Sequence, residues 1–283
     1  MRILVPVDNQ PYSVHVVRQV AALASNTWAN VTLLSVGPEA AVADMAALLY
    51  SYRGEFLDRF SDADLLYGAR ASEYKLTEEG KGVITLDFPE QPGRKALDLR
   101  IRAGVPGREI LAEAEDAGAD LIVIGCDPGG GCRWPADDNV PGKIVKNASC
   151  PVLVIKENKQ PQMIVCCLDH DTVTQASIEL INQLVTLYQA ELEIIGVTDE
   201  TTGLRTDVDR RMARILAYYT SRNIKAWVRL VEAPSLKAFI DQSAEKNLVA
   251  VWTGKHSFLD KIFSRQHIED LATTSSSSVL ILR

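Results

Sequence analysis

A glycine-rich segment is the part of the sequence with the clearest chemical potential. Gly125 ends an apolar run, and Gly129, Gly130 and Gly131 follow within six residues. Because glycine has no Cβ atom, backbone amides in such a loop can approach phosphate oxygens closely, and the start of a following helix adds to the anion site. The segment therefore predicts a loop of the kind that holds phosphate groups.

Two aspartates form the second feature of interest. Asp8 and Asp169 each follow an apolar run with the pattern of a buried strand. An aspartate at a strand end caps the following turn without any ligand, because its carboxylate accepts hydrogen bonds from nearby backbone amides. Turn capping and ligand contact are both open for Asp8, whereas turn capping is favoured for Asp169.

The motifs of several common enzyme classes are absent. Neither aspartate is followed by the G-x-G-x-x-G of dinucleotide-binding folds, and no G-x-S-x-G elbow occurs. Gly125 and Gly130 have the separation of a P-loop, but Gly131 and Cys132 stand where lysine and a hydroxyl residue are needed. We expect no catalytic role, and no metal site because no cysteine and histidine pair has ligand spacing.

The elements that must position these residues occur twice in the chain. Three pairs of segments match in the same order: Met1–Asp8 with Gln162–Asp169, Val31–Val36 with Leu192–Val197, and Asp120–Gly125 with Val249–Gly254. The offset is 161 positions for the first two pairs and 129 for the third. Repetition of this kind indicates a duplicated domain, with extra residues in the first copy.

The apolar runs define the fold class. They are four to six residues long, rich in valine and isoleucine, and not alternating, which is typical of strands buried on both faces of a parallel sheet. Amphipathic stretches lie between them, such as the one that follows Ser13, a candidate helix cap. We predict an α/β fold with two doubly wound domains, residues 1–157 and residues 162–283, joined by a short polar linker.

Residues 37–95 hold the extra length of the first domain. A helical face contains these apolar residues: Leu48, Leu49, Tyr52, Phe56 and Phe60. Gly82–Pro89 predicts an additional strand or hairpin. A surface elaboration is favoured over a partner-binding feature, because loops accept insertions at low cost in free energy.

Composition excludes several classes of partner. The formal net charge of −7 argues against nucleic acid and against an anionic membrane surface. No apolar run is long enough to cross a bilayer, so a cytoplasmic protein is the default expectation. The five cysteines do not form a disulfide framework by count, and Cys126 and Cys132 are expected to be loop thiols.

Three segments together resemble the universal stress protein family: Ile3–Asp8, Arg102–Gly125 and Ala148–Ile155. The resemblance covers essentially all of residues 1–156 and, more loosely, residues 162–283. It implies a five-stranded parallel sheet in each domain, of the Rossmann-like kind found in adenine nucleotide alpha hydrolases.

The resemblance also implies that the two domains pair through their last strands. Val152–Ile155 and Val279–Leu282 would otherwise each leave an exposed apolar edge, which proteins avoid. We expect a pseudo-twofold monomer. Further association into a homodimer is left open, as is an unknown protein partner.

A nucleotide site for ATP or AMP in the first domain follows from the resemblance as an alternative. The positions that match the family's site are Pro6, Asp8, Val36, Gly125, Pro128, Gly129, Gly130, Gly131, Asn139 and Val140. The family's loop reads G-x2-G-x9-G-[S/T]. Here Pro128, which has no amide hydrogen, takes the second glycine position, and Asp138 and Asn139 take the last two. A carboxylate at that point repels phosphate.

Both domains carry a further variation of this loop pattern. A second register in the first domain uses Gly129–Gly131 with Gly142 and Lys143, the lysine supplying positive charge. In the second domain Gly254 is kept, but Ser257 takes the second glycine position. Both loops therefore depart from the pattern that binds phosphate in the family.

Three functions remain open from the sequence. The favoured one is a non-catalytic stress-response module in which nucleotide binding is weakened or lost. The second is an adenine-nucleotide switch that uses the first domain, with slow ATP hydrolysis as an option. The third is a scaffold that binds another protein through residues 37–95.

Overall fold

A computed structural model describes residues 1–61, 65–70, 73–80, 82–89, 93–127, 134, 137, 139–156, 160–169, 172–198, 205–254 and 257–283. The chain divides into two compact units, Met1–Asn158 and Lys159–Arg283. Each unit is described by itself below.

The described residues of the first unit form seven strands and four α-helices. The strands are β1 (Arg2–Pro6), β2 (Asn30–Gly37), β3 (Lys75–Gly80), β4 (Val83–Asp87), β5 (Leu97–Ala103), β6 (Leu121–Gly125) and β7 (Val152–Ile155). The helices are α1 (Pro11–Thr27), α2 (Val42–Leu57), α3 (Pro106–Asp116) and α4 (Val140–Asn147).

The strand order of this unit is β7-β6-β1-β2-β5-β4-β3. The pairs from β7 to β5 are all parallel, and the β3–β4 hairpin is added antiparallel to β5. The chain leaves β1 towards β2 on one side, and β6 lies on the other side. The sheet therefore has its topological switch point between β1 and β6, where open α/β sheets form their ligand crevice.

The second unit repeats the parallel part of this sheet. Its strands are β8 (Met163–Cys167), β9 (Glu191–Thr198), β10 (Ala226–Glu232), β11 (Leu248–Trp252) and β12 (Val279–Leu282). Its helices are α5 (Gln175–Tyr188), α6 (Arg205–Thr220), α7 (Ala233–Ser243) and α8 (Arg265–Thr274). The order β10-β9-β8-β11-β12 is parallel throughout, so the predicted α/β class and five-stranded parallel sheet are confirmed.

The central strands are buried on both faces, as their unbroken apolar runs predict. Every residue of β6, β7, β11 and β12 is buried. Burying one valine, leucine or isoleucine side chain stabilises the folded state by roughly 1.5–3 kcal/mol. These strands form a rigid base, so the loops at their carboxyl ends are held in defined positions.

Helix α1 begins earlier than its predicted cap. Ser13 lies inside the first turn and is buried, while Gln10 is the N-cap residue and Pro11 is the first helical residue. Proline suits this position because it has no amide hydrogen to satisfy and its φ angle is already helical. The side chain of Ser13 instead contacts Asp8, at the turn that precedes the helix.

The segment that is present only in the first unit is shorter than the predicted range, residues 37–95. Helix α2 has a counterpart in α6 between the second and third strands of the parallel part of the second unit. The β3–β4 hairpin is the addition, which confirms the extra strand expected at Gly82–Pro89. Beside the hairpin, Tyr50, Tyr74 and Phe88 form an aromatic cluster, and Arg53 lies 4.1 Å over the ring of Phe88.

Cysteine pairing differs in one place from the expectation. Cys150, Cys166 and Cys167 are buried thiols outside any disulfide bond. Cys126 takes part in a disulfide bond rather than being a free thiol, and Cys132 lies outside the described residues. Among the helices that the structure describes, none combines the length and the apolar character needed to cross a bilayer.

Candidate functional site

The structure places four of the predicted site residues at one edge of the first sheet. Pro6 ends β1, Asp8 follows it, Val36 lies near the end of β2, and Gly125 ends β6. The three strands are parallel and adjacent, so their carboxyl ends meet at the switch-point crevice.

Asp8 is enclosed by donors from its own chain. The carboxylate is only 6% exposed. It accepts hydrogen bonds from the hydroxyl of Tyr12 at 2.5 Å, the hydroxyl of Ser13 at 2.7 Å and the backbone amide of Gln10 at 3.1 Å. The bond to Gln10 closes the turn between β1 and α1, which is the capping role that the sequence left open.

Burial dominates the electrostatics of this group. Removal from water raises the pKa of Asp8, and the hydrogen bonds from Tyr12 and Ser13 oppose that rise. Burial and the nearby Asp8 charge raise the pKa of Tyr12, so its hydroxyl stays protonated and donates to the carboxylate. Tyr52 of α2 donates a further 2.8 Å bond to the backbone carbonyl of Asp8.

Gly125 faces an aromatic ring rather than open space. A Cβ atom placed on Gly125 would lie 2.8 Å from Cε2 of Tyr12 and 3.0 Å from a methyl group of Val16. Only glycine leaves room for the Tyr12 ring at the end of β6. The glycine that the sequence assigns to phosphate approach therefore also serves packing inside the unit.

The loop after β6 is described only in part. Pro128, Gly129, Gly130, Gly131 and Asp138, all predicted to belong to the loop, lie outside the described residues. Asn139 is the N-cap of α4, with φ 58° and a side chain that accepts from the Gly142 amide. Val140 is fully buried as the first residue of that helix.

Lys143, the cation of the second register, already has a partner. Its ammonium pairs with Asp137, and the other oxygen of Asp137 accepts from the backbone amide of Gly107 at 2.9 Å. Because Gly107 lies in the first turn of α3, Asp137 links the start of that helix to α4. This link was not foreseen in the sequence.

The second unit has a comparable crevice between β8 and β11. Asp169 is 2% exposed, and its backbone carbonyl accepts from the amides of Thr172 and Val173. The indole of Trp252 crowds Gly254, where a Cβ atom would lie 2.9 Å from Nε1. Ser257 caps the short helical turn that follows by accepting from the Leu259 amide at 3.1 Å.

Comparison with known proteins agrees with this architecture. Residues 1–156 match the sequence model of the universal stress protein family, which is more than half of the chain. The chain belongs to that family. The sequence resemblance is thereby confirmed.

Two universal stress proteins illustrate the relationship. One from Methanocaldococcus jannaschii is 44% identical over 87 residues, covering 30% of this chain and 51% of that protein. One from Bacillus subtilis is 25% identical over 162 residues, covering 55% of this chain and 98% of that protein. The chain thus spans about half the length of the first relative and nearly all of the second.

Solved structures show that the fold is shared along the whole chain. A universal stress protein from Archaeoglobus fulgidus aligns over 100% of this chain and 96% of its own, with a TM-score of 0.59 and 16% identity. A structure described as a universal stress protein in complex with cAMP aligns over 55% of this chain at 16% identity, with a TM-score of 0.38. At 16% identity the likeness to the Archaeoglobus fulgidus protein concerns the fold alone.

Several residues of this universal stress protein were missed as site residues from sequence. Tyr12 follows Asp8 by four positions and Trp252 precedes Gly254 by two, and that closeness was the available signal. Which way each ring points depends on the turn after the strand. Within the described part of the chain, no group of three or more histidine, cysteine or acidic residues could hold a metal ion.

Proposed function

We propose that this tandem universal stress protein is a non-catalytic stress-response module in which nucleotide binding is weakened or lost. The state of Asp8 carries the proposal. The family resemblance places adenosine at this carboxylate, yet three donors of its own chain already bond to it. A ligand hydroxyl would have to compete with these donors for a residue that is almost fully buried, and each donor that it displaced and left buried and unpaired would cost about 1–3 kcal/mol.

The charge of the crevice supports the same proposal. Lys143 is the cation that the second register offers to phosphate, and its ammonium is paired with Asp137. A phosphate would have to compete with a carboxylate that is only 8% exposed. A lysine–phosphate bond is charge-assisted like the lysine–carboxylate bond that it would replace, so phosphate would gain only the difference between the two pairs.

An adenine-nucleotide switch in the first unit is the second candidate. The observation in its favour is that Pro6, Asp8, Val36 and Gly125 meet at one edge of the sheet, as the resemblance implies. In this case the first unit would hold ATP or AMP, with slow ATP hydrolysis as an option.

Titration of the wild-type protein with ATP, ADP and AMP by calorimetry tests the proposal. We expect no saturable binding below about 1 mM, which corresponds to a binding free energy weaker than about −4 kcal/mol. Asp8→Ala and Asp169→Ala form a matched pair, one for each unit. Micromolar binding that disappears in Asp8→Ala and persists in Asp169→Ala would reject the proposal and establish the switch.

A further inference from the structure

The ring of Tyr12 fills the crevice of the first unit. Its hydroxyl bonds to Asp8, which follows β1, and its ring contacts Gly125 at the end of β6. The side chain therefore spans the gap between the carboxyl ends of these two strands. This gap is the switch point of the sheet, where open α/β folds bind their ligands.

The indole of Trp252 does the same in the second unit. Its ring lies against Gly254 just beyond β11, and its Nε1–H donates to the hydroxyl of Thr172 at 2.8 Å. Thr172 belongs to the turn after β8, the neighbouring strand. The indole is 3% exposed and spans the carboxyl ends of β8 and β11.

The two rings come from different elements. Tyr12 is the second residue of α1, and its counterpart in the second unit is Val173; Trp252 is the last residue of β11, and its counterpart in the first unit is Val123. The two units therefore reach similar arrangements with side chains from non-equivalent positions. In both, a glycine without a Cβ atom provides the space beneath the ring.

We propose that each crevice is a slot for a flat aromatic ring and that the chain fills it with its own side chain, Tyr12 in the first unit and Trp252 in the second. The competing ligand is a flat heteroaromatic ring of the adenine class. This inference rests on the proposed function, because it names what keeps nucleotide out of the two sites.

The two side chains differ in how firmly they are held. Tyr12 is only half-buried and lies in the first turn of a helix, so rotation of one side chain clears the slot. Trp252 is buried at the end of a central strand. The slot of the first unit is therefore the one that opens more readily.

The experiment compares AMP binding by wild type, Tyr12→Ala and Tyr12→Phe in the full-length protein. Tyr12→Ala empties the slot, whereas Tyr12→Phe keeps the ring and removes only the bond to Asp8. We expect Tyr12→Ala to bind AMP at least about tenfold more tightly than wild type, because the slot no longer has to be vacated. Tyr12→Phe frees Asp8 from one donor but keeps the ring, so it should gain less affinity than Tyr12→Ala; an equal gain would show that the bond to Asp8, and not the ring, closes the site. Trp252→Ala is tested in the same way for the second slot.

The controls separate this inference from the proposed function. Tight AMP binding by wild type would reject the proposed function. If wild type binds weakly and a folded Tyr12→Ala binds no better, the proposed function stands and the slot inference is overturned. Circular dichroism checks folding. If Tyr12→Ala does not fold, Tyr12→Leu, which keeps an apolar side chain but removes the flat ring, replaces it in the titration, and the same tenfold gain or its absence decides the inference.

Discussion

At the residue scale, Asp8 connects the end of β1 to the start of α1. Its carboxylate joins the backbone of Gln10 and the hydroxyls of Tyr12 and Ser13. These bonds order the turn that places Tyr12 against Gly125. The residue that the family resemblance assigns to a ligand thus has a structural role that needs none.

Replacing Asp8 with alanine tests that structural role. We expect Asp8→Ala to lower the free energy of unfolding by about 1–3 kcal/mol, because buried donors lose their acceptor. Asn9→Ala, at the exposed neighbouring position, should change it by less than about 0.5 kcal/mol. Urea unfolding followed by circular dichroism measures both, and equal effects would contradict the account.

The pH dependence of stability provides a second test of the same residue. Burial raises the pKa of Asp8 above 3.8. A group whose pKa is raised on folding contributes stability that is fully present below the unfolded pKa and is lost as the pH rises through the folded pKa. Wild type should therefore gain stability relative to Asp8→Asn as the pH falls from 7 towards 3.8. A loss over that window would show that hydrogen bonds outweigh burial.

At the element scale, helix α4 begins at a residue with an uncommon backbone. Asn139 adopts φ 58° and ψ 43° and caps the Gly142 amide. Alanine is strained in this left-handed region, whereas glycine is not. Both substitutions remove the side-chain cap.

We expect Asn139→Ala to cost about 2 kcal/mol of unfolding free energy and Asn139→Gly less than about 1 kcal/mol. Thermal unfolding of the two variants side by side measures the difference. If alanine were as well tolerated as glycine, the helix would not start at Asn139 in this conformation.

The β3–β4 hairpin packs against α2 through aromatic side chains. The rings of Tyr50, Tyr74 and Phe88 lie with centroids 5.5–6.5 Å apart, and Arg53 covers Phe88. These rings contact one another within the unit, which supports the hairpin as an elaboration rather than a docking surface.

Phe88→Ala tests this packing. It should lower the unfolding free energy by about 1–2 kcal/mol through loss of ring and cation–π contacts. Leu76→Ala on exposed β3, where the side chain is 46% exposed, should change it by less than about 0.5 kcal/mol. Equal stability of the two variants in urea would instead favour a surface held for a partner.

The pattern of apolar residues determines which features of these elements can be predicted from the sequence. Central strands such as β6 and β11 have unbroken apolar runs, so their positions and parallel class follow directly. The start of α1 does not follow from the pattern, because Pro11 and Ser13 are both residue types that begin helices. Only the contact of Ser13 with Asp8 shows that the helix begins at Pro11. The rings of Tyr12 and Trp252 are missed because a side chain's direction across a crevice depends on tertiary packing.

At the scale of the whole molecule, the chain repeats one sheet and closes each crevice with an aromatic ring. The shared strand order follows from duplication, whereas the two rings come from non-equivalent positions. Pairing of the units through Val152–Ile155 and Val279–Leu282 stays a prediction. The aromatic ring in each crevice leads us to expect weak or absent nucleotide binding in both units.

Mass spectrometry of small molecules released from gently purified wild-type protein tests that claim most directly. Heat or acid releases bound nucleotide, and the amount is compared with the protein concentration. We expect well below about 0.1 mole of adenine nucleotide per mole of protein, because a site with a dissociation constant near 1 mM loses its ligand during purification. About one mole per mole would contradict it and show that a crevice accepts nucleotide with its aromatic side chain displaced.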